Sequence, residues 1–186
     1  MRPRILIAGM GNLLQRDDGF GVEVIRQLIA EGRLPNEVQI IDVGIGGIHL
    51  VHELMDQREA LILVDAMDRD GSPGTLYLVE PQVPDLDCYR MEERNEFLTD
   101  THYAIPSKVL ILAKALGVLP PKVLLVGCQP LVIEELGIGL SKPVARAVGH
   151  AIVHIRQVLT SLLREDSSGD AWRGGQLDPA EVMPVT

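Results

Sequence analysis

Gly9-Met10-Gly11-Asn12-Leu13-Leu14-Gln15-Arg16-Asp17-Asp18-Gly19-Phe20-Gly21 follows directly on the apolar run Ile5-Leu6-Ile7-Ala8. A short continuous apolar run of this kind reads as a buried strand. An apolar-periodic helix begins near Val22. Strand, glycine-rich loop and helix in this order are the parts of a nucleotide-binding turn. Here the loop ends in two adjacent acids, and that points to a cation instead.

A dinucleotide fingerprint needs G-x-G-x-x-G with the helix opening at its second glycine. Gly9 and Gly11 fit, but Leu14 stands at the third position, and Arg16, Asp17 and Asp18 delay the helix. Anionic Asp17 and Asp18 at that helix start repel a pyrophosphate. One residue favours the nucleotide: Asp42 closes the second apparent strand, where a ribose-binding acid sits. A P-loop is excluded, because no G-x-x-x-x-G-K-[ST] occurs.

Outward from this loop, apolar runs alternate with helical patterns. Strands are predicted over Arg4–Gly9, Val38–Asp42, Ala60–Ala66, Thr75–Val79 and Lys122–Gly127. Helices are predicted over Phe20–Glu31, Ile48–Met55, Ile105–Leu116 and Pro143–Leu163. Gly71-Ser72-Pro73-Gly74 is a strong turn signal before the fourth strand. The β-α-β order predicts an α/β domain with a mostly parallel sheet and helices on both faces. Continuously apolar strands fit that double burial. Residues Glu80 to Thr101, with Pro81, Pro84 and many acids, read as a surface excursion. Residues 1–165 are expected to form one domain. Residues 166–186, rich in Ser, Gly, Asp and Pro, are expected to be a flexible tail.

The chain has 186 residues, 46% of them apolar, enough for a substantial core. A net charge of −9 argues against nucleic acid and against anionic membrane surfaces. No apolar run approaches the roughly 20 residues of a spanning helix. Met1-Arg2-Pro3-Arg4 runs straight into the first strand, so no signal peptide is expected. The two cysteines, Cys88 and Cys128, are far apart and form no C-x-x-C pair. A reduced, cytoplasmic compartment and a monomer are the expectations.

In open α/β sheets, sites lie beyond the carboxyl ends of the strands. Asp18 follows strand one. Asp65 ends the run Leu61-Ile62-Leu63-Val64. His102 stands in Thr101-His102-Tyr103, just before the third helix. An acid at the tip of a buried strand is costly unless it is paired or binds a cation. Two carboxylates and an imidazole make a mixed O,O,N set that suits a borderline divalent ion such as Ni²⁺ or Zn²⁺. Each residue also has a plainer role open to it. Asp17 or Asp18 caps the first helix, Asp65 accepts turn amides, and His102 lies on the surface. His150 and His154, i and i+4 on the last helix, lack the Glu of an H-E-x-x-H zinc motif and read as a helix face. His49 and His52 read as a solvated face, and Cys128 as a buried structural thiol. No G-x-S-x-G elbow supports a serine hydrolase.

Taken together, these residues resemble the [NiFe]-hydrogenase maturation endopeptidases. The resemblance rests on G-x-G-N-x-L at Gly9–Leu14, D-D-G-x-G at Asp17–Gly21 and V-D-A at Val64–Ala66. It continues through T-H at Thr101–His102 and P-x-K-V-x-L-V-G at Pro120–Gly127, and spans roughly residues 4 to 160. It implies a three-layer α/β/α sandwich of the phosphorylase/hydrolase-like kind. It also implies an aspartic-type or metal-assisted endopeptidase that clips the C-terminal extension of a hydrogenase large-subunit precursor after nickel insertion. Asp18, Asp65 and His102 are then both the catalytic residues and the nickel contacts, with the nickel presented by the substrate and no nucleotide cofactor. Relatives often carry Glu at the position of Asp18. The family's G-G-T-x-G loop appears here as Val43-Gly44-Ile45-Gly46-Gly47, with Ile45 in place of Thr. Two other readings stay open on sequence: a non-catalytic nickel-site chaperone using the same three ligands, and a nucleotide-binding oxidoreductase using Gly9, Gly11 and Asp42.

Overall fold

The computed structural model describes residues 3–32, 34–90 and 105–168. Five strands form one sheet: β1 (Ile5–Met10), β2 (Val38–Gly44), β3 (Ala60–Ala66), β4 (Leu76–Val79) and β5 (Lys122–Cys128). Among the described residues four α-helices accompany them: α1 (Phe20–Glu31), α2 (Gly47–Leu54), α3 (Pro106–Ala115) and α4 (Lys142–Ser168). The sheet order is β2-β1-β3-β5-β4. β1, β2, β3 and β5 run parallel, and β4 closes the edge antiparallel to β5. Three residues of the expected tail, 166–168, continue α4. Residues 169–186 lie outside the described residues.

β1, β3 and β5 are apolar over most of their length because both faces of the sheet's centre are covered. Ile5 and Ile7 of β1, Ile62 and Val64 of β3, and Val126 and Cys128 of β5 pack with α1 and α4. The intervening side chains, Leu6, Ala8, Met10, Leu61, Leu63 and Leu125, pack on the other face with Leu50 and Leu54 of α2 and Val109 and Leu110 of α3. This is the three-layer sandwich. Among the described residues no helix is long and apolar enough to cross a membrane.

The strand order fixes where a site can form. From β1 the chain passes through α1, on one face, out to β2. It then returns through α2, on the opposite face, to β3 on the other side of β1. The direction of winding therefore reverses between β1 and β3. A crevice opens at the carboxyl ends of strands at such a switch point.

The glycine-rich segment closes the base of this crevice. A Cβ on Gly21 would collide with the carbonyl oxygens of Val64 and Met10, so the first turn of α1 lies directly against the ends of both strands. A Cβ on Gly9 would strike the Gly21 carbonyl and Ile25. These glycines are present for close packing of helix on strand. Gly21→Ala is expected to cost about 3 kcal/mol, because the obstructing atoms are backbone and cannot rotate away. Urea titration checks this, and an unchanged midpoint would show that α1 can shift freely.

Candidate active site

Asp18 lies in a short 3-10 turn, Arg16–Gly19, between β1 and α1. Asp65 is the sixth of seven residues in β3, in register with Gly127 of β5. The switch point brings the two acids to one place. Asp65 is 7% exposed, and Asp18 is half-buried. Burial first, and then the negative charge of Asp18, push the Asp65 carboxyl up to about 8 against the opposing Ala66 amide. Burial also raises Asp18, against a hydrogen bond from the Asn12 amide. Among the described residues, no Lys or Arg pairs with either acid. Two carboxylates that share a site without a counter-ion hold a proton or call for a cation. His102, the third residue of the expected set, lies outside the described residues.

The glycine loop holds the acids rather than a phosphate. Gly11 has φ of 124°, which favours glycine, and a Cβ there would collide with the Asp18 carbonyl. The Asn12 N–H donates to Asp18 Oδ2 at 2.7 Å, and the Leu14 N–H to Asn12 Oδ1 at 3.0 Å. The amides of Gly11, Gln15, Arg16, Asp17 and Asp18 donate to the carbonyls of Gly44, Asn12, Gly137, Val132 and Gln15. A phosphate cradle needs such amides free and convergent, and here they are already engaged. Asp42, the candidate ribose acid, lies 3.8 Å from the Arg26 guanidinium.

Asp17 differs sharply from its neighbour, and not in the way its position suggests. It does not cap α1: the N-cap is Gly19, and no side chain caps that helix. Asp17 is instead fully buried and holds the loop after β5. Its Oδ2 accepts the N–H groups of Leu131 (2.8 Å) and Val132 (3.0 Å) and the Ser141 hydroxyl (2.8 Å). Its Oδ1 accepts the Ser141 N–H at 2.6 Å. Gln129 does similar work on the next loop. Its Oε1 accepts the Arg69 and Gly71 amides and the Tyr77 hydroxyl, and its Nε2 donates to Asp68. Gln129 was not singled out from the sequence. The only signal available was a polar residue immediately after a buried strand at the site's rim.

The remaining candidates stay apart from the acids. Cys128 is buried, and desolvation followed by the charge of Asp17 pushes its thiol up to about 12, as expected of a structural thiol. His49 and His52 are exposed on α2, with His49 3.5 Å from Glu53. His150 is exposed and His154 half-buried on α4.

Residues 22–158 match the family model HycI, hydrogenase maturation protease. The chain belongs to the hydrogenase maturation protease family. It is 39% identical over 184 residues to the hydrogenase expression/formation protein HoxM of Azotobacter vinelandii, covering 98% of this chain and 83% of that protein. It is 37% identical over 187 residues to HupM of Azotobacter chroococcum mcd 1, covering 97% and 82%. Among solved structures, the hydrogenase maturating endopeptidase HybD from E. coli aligns with a TM-score of 0.64 at 30% identity, over 87% of this chain and 93% of that one. The maturation protease HycI from Thermococcus kodakarensis KOD1 aligns with a TM-score of 0.64 at 25% identity, over 84% and 92%. The protease is thus a peptide hydrolase of hydrogenase maturation. The oxidoreductase reading, already opposed by the engaged loop amides, is set aside.

Proposed function

We propose that this protease removes the C-terminal extension of a nickel–iron hydrogenase large-subunit precursor, in the cytoplasm and after nickel insertion. Asp18, Asp65 and His102 are its working residues. The observation that carries the reading is the pair of acids at the switch point. Burial raises both of them, the charge of Asp18 raises Asp65 further, and no cationic side chain among the described residues offsets them.

At neutral pH the free protease holds a proton on Asp65, whose carboxyl is raised to about 8. Nickel, held by the precursor, is part of the substrate. Its positive charge favours the ionised forms of both acids, so docking releases the Asp65 proton and draws the precursor's metal into the crevice. His102, assigned by the resemblance, completes the set of contacts. Cleavage then proceeds when the metal polarises the scissile carbonyl, or when an ionised carboxylate of the pair takes a proton from the attacking water. Both routes need at least one acid of the pair ionised at the moment of cleavage. A precursor without nickel lacks the charge that brings this about, and the specificity follows.

Intact-mass analysis of purified precursor, with and without nickel, tests the proposal. The expected result is loss of one defined C-terminal peptide in the nickel-loaded sample alone. Equal cleavage of both samples would remove nickel from the recognition. A stable complex without cleavage would favour the chaperone reading.

A further inference from the structure

The loop between β5 and α4 carries apolar side chains held out into solvent on a fixed backbone. Leu136 is 82% exposed and Ile138 81%, with Leu131 at 56% and Leu14 at 59%. Isolated exposed leucines are ordinary, but a cluster of them around a site is not. Here hydrogen bonds gather them. Gly137, between Leu136 and Ile138, pairs with Gln15: its N–H donates to the Leu14 carbonyl at 2.9 Å, and its carbonyl accepts the Arg16 N–H at 3.0 Å. Asp17 fixes the loop at Leu131, Val132 and Ser141. The loop is therefore anchored at both ends and in the middle to the turn that carries Asp18. Its backbone is pre-ordered and gives up little entropy on docking.

The charge around them is mixed: Glu134 and Glu135, both exposed, precede Leu136, while the Arg16 side chain lies against Gly137. We infer that Leu14, Leu131, Leu136 and Ile138 form the docking surface for the precursor polypeptide, and that the surface they receive is apolar. This rests on the reading of the protein as a protease of that precursor. The loop reaches the cleft through the same hydrogen bonds that position Asp18, so the docked face and the acids are held in fixed relation.

Biolayer interferometry against immobilised nickel-loaded precursor tests the inference, with cleavage followed in parallel by mass. The paired change Leu136→Ser/Ile138→Ser is expected to raise Kd at least about tenfold, as loss of two central apolar anchors does. Val153→Ser, at an equally exposed apolar position on α4, is expected to leave Kd as it is. Thermal melts of each variant confirm the fold. Unchanged binding by Leu136→Ser/Ile138→Ser, with wild-type cleavage intact, would overturn the docking surface and leave the proposed function standing. Wild-type binding without cleavage, lost in that variant, would keep the surface and overturn the function. A wild-type dimer that this variant dissolves would assign the patch to self-association and overturn the inference.

Discussion

Asp65→Asn is expected to leave the protease folded and to reduce precursor processing by about a thousandfold, within the range for removal of an acid–base group. Both halves follow from one property. With its carboxyl raised to about 8, Asp65 is mainly neutral at pH 7 in the free protein. Asparagine has almost the same shape and is also neutral, so the buried site accepts it at little cost. It cannot ionise, however, and so can neither meet a cation as a carboxylate nor take a proton from water. Mass analysis of processed precursor reads the loss, and cleavage at the wild-type rate would remove Asp65 from the site.

The same substitution changes how metal-free stability depends on pH. The folded-state value of about 8 lies above the ordinary 3.8, so the folded protein binds this proton more tightly than the unfolded chain does. Stability from this group is therefore full below 3.8, falls as pH rises toward about 8, and then levels off. Asp18 is raised as well and contributes in the same sense. In the Asn variant the Asp65 component disappears, so its melting temperature should fall less than that of the wild type between pH 5 and pH 8.5 or so. Parallel melting curves for the two proteins would place Asp65 in a more solvated setting than its burial implies.

The architecture was legible wherever the signal was local. Ala60–Ala66 and Phe20–Glu31 have the predicted bounds, because a continuous apolar run and an amphipathic run are each readable in a short window. Asp18 and Asp65 were legible as site candidates because strand ends in an α/β sheet are marked places. The antiparallel setting of β4 was not specified, since a short, partly exposed edge strand carries no direction of its own. The glycines of the loop matched a nucleotide fingerprint only in part, and their own role was not legible. Only the collisions that a Cβ would make with Val64, Met10 and Asp18 show that they serve packing. His102 was read from its place before a helix and lies outside the described residues. Asp17 was beyond local reading altogether: its partners are 114 to 124 residues away in sequence.

That long-range clamp gives Asp17→Ala the largest expected effect on stability, about 4 kcal/mol, as for removal of one partner from a buried charged network. The carboxylate receives four donors and has no donor of its own. Alanine would leave the Leu131, Val132 and Ser141 amides without acceptors and free the loop that carries Leu136 and Ile138. Asparagine would be an imperfect replacement. Its oxygen can serve only one side of the set, and its NH₂ would face another N–H, so about half of that cost is expected. Ser141→Ala removes one hydroxyl alone and should cost about 1 kcal/mol. Denaturant titration of the three variants would order them Ala, Asn, Ser141→Ala from least to most stable, and a fall in processing should follow the same order. If Asp17→Ala stayed within about 1 kcal/mol of the wild type, the loop would have to be held by its other contacts. The doublet thus divides two tasks between adjacent acids. Asp17 has every hydrogen bond a buried carboxylate can use and fixes the loop. Asp18, one residue on, accepts a single amide and is left with capacity for a ligand.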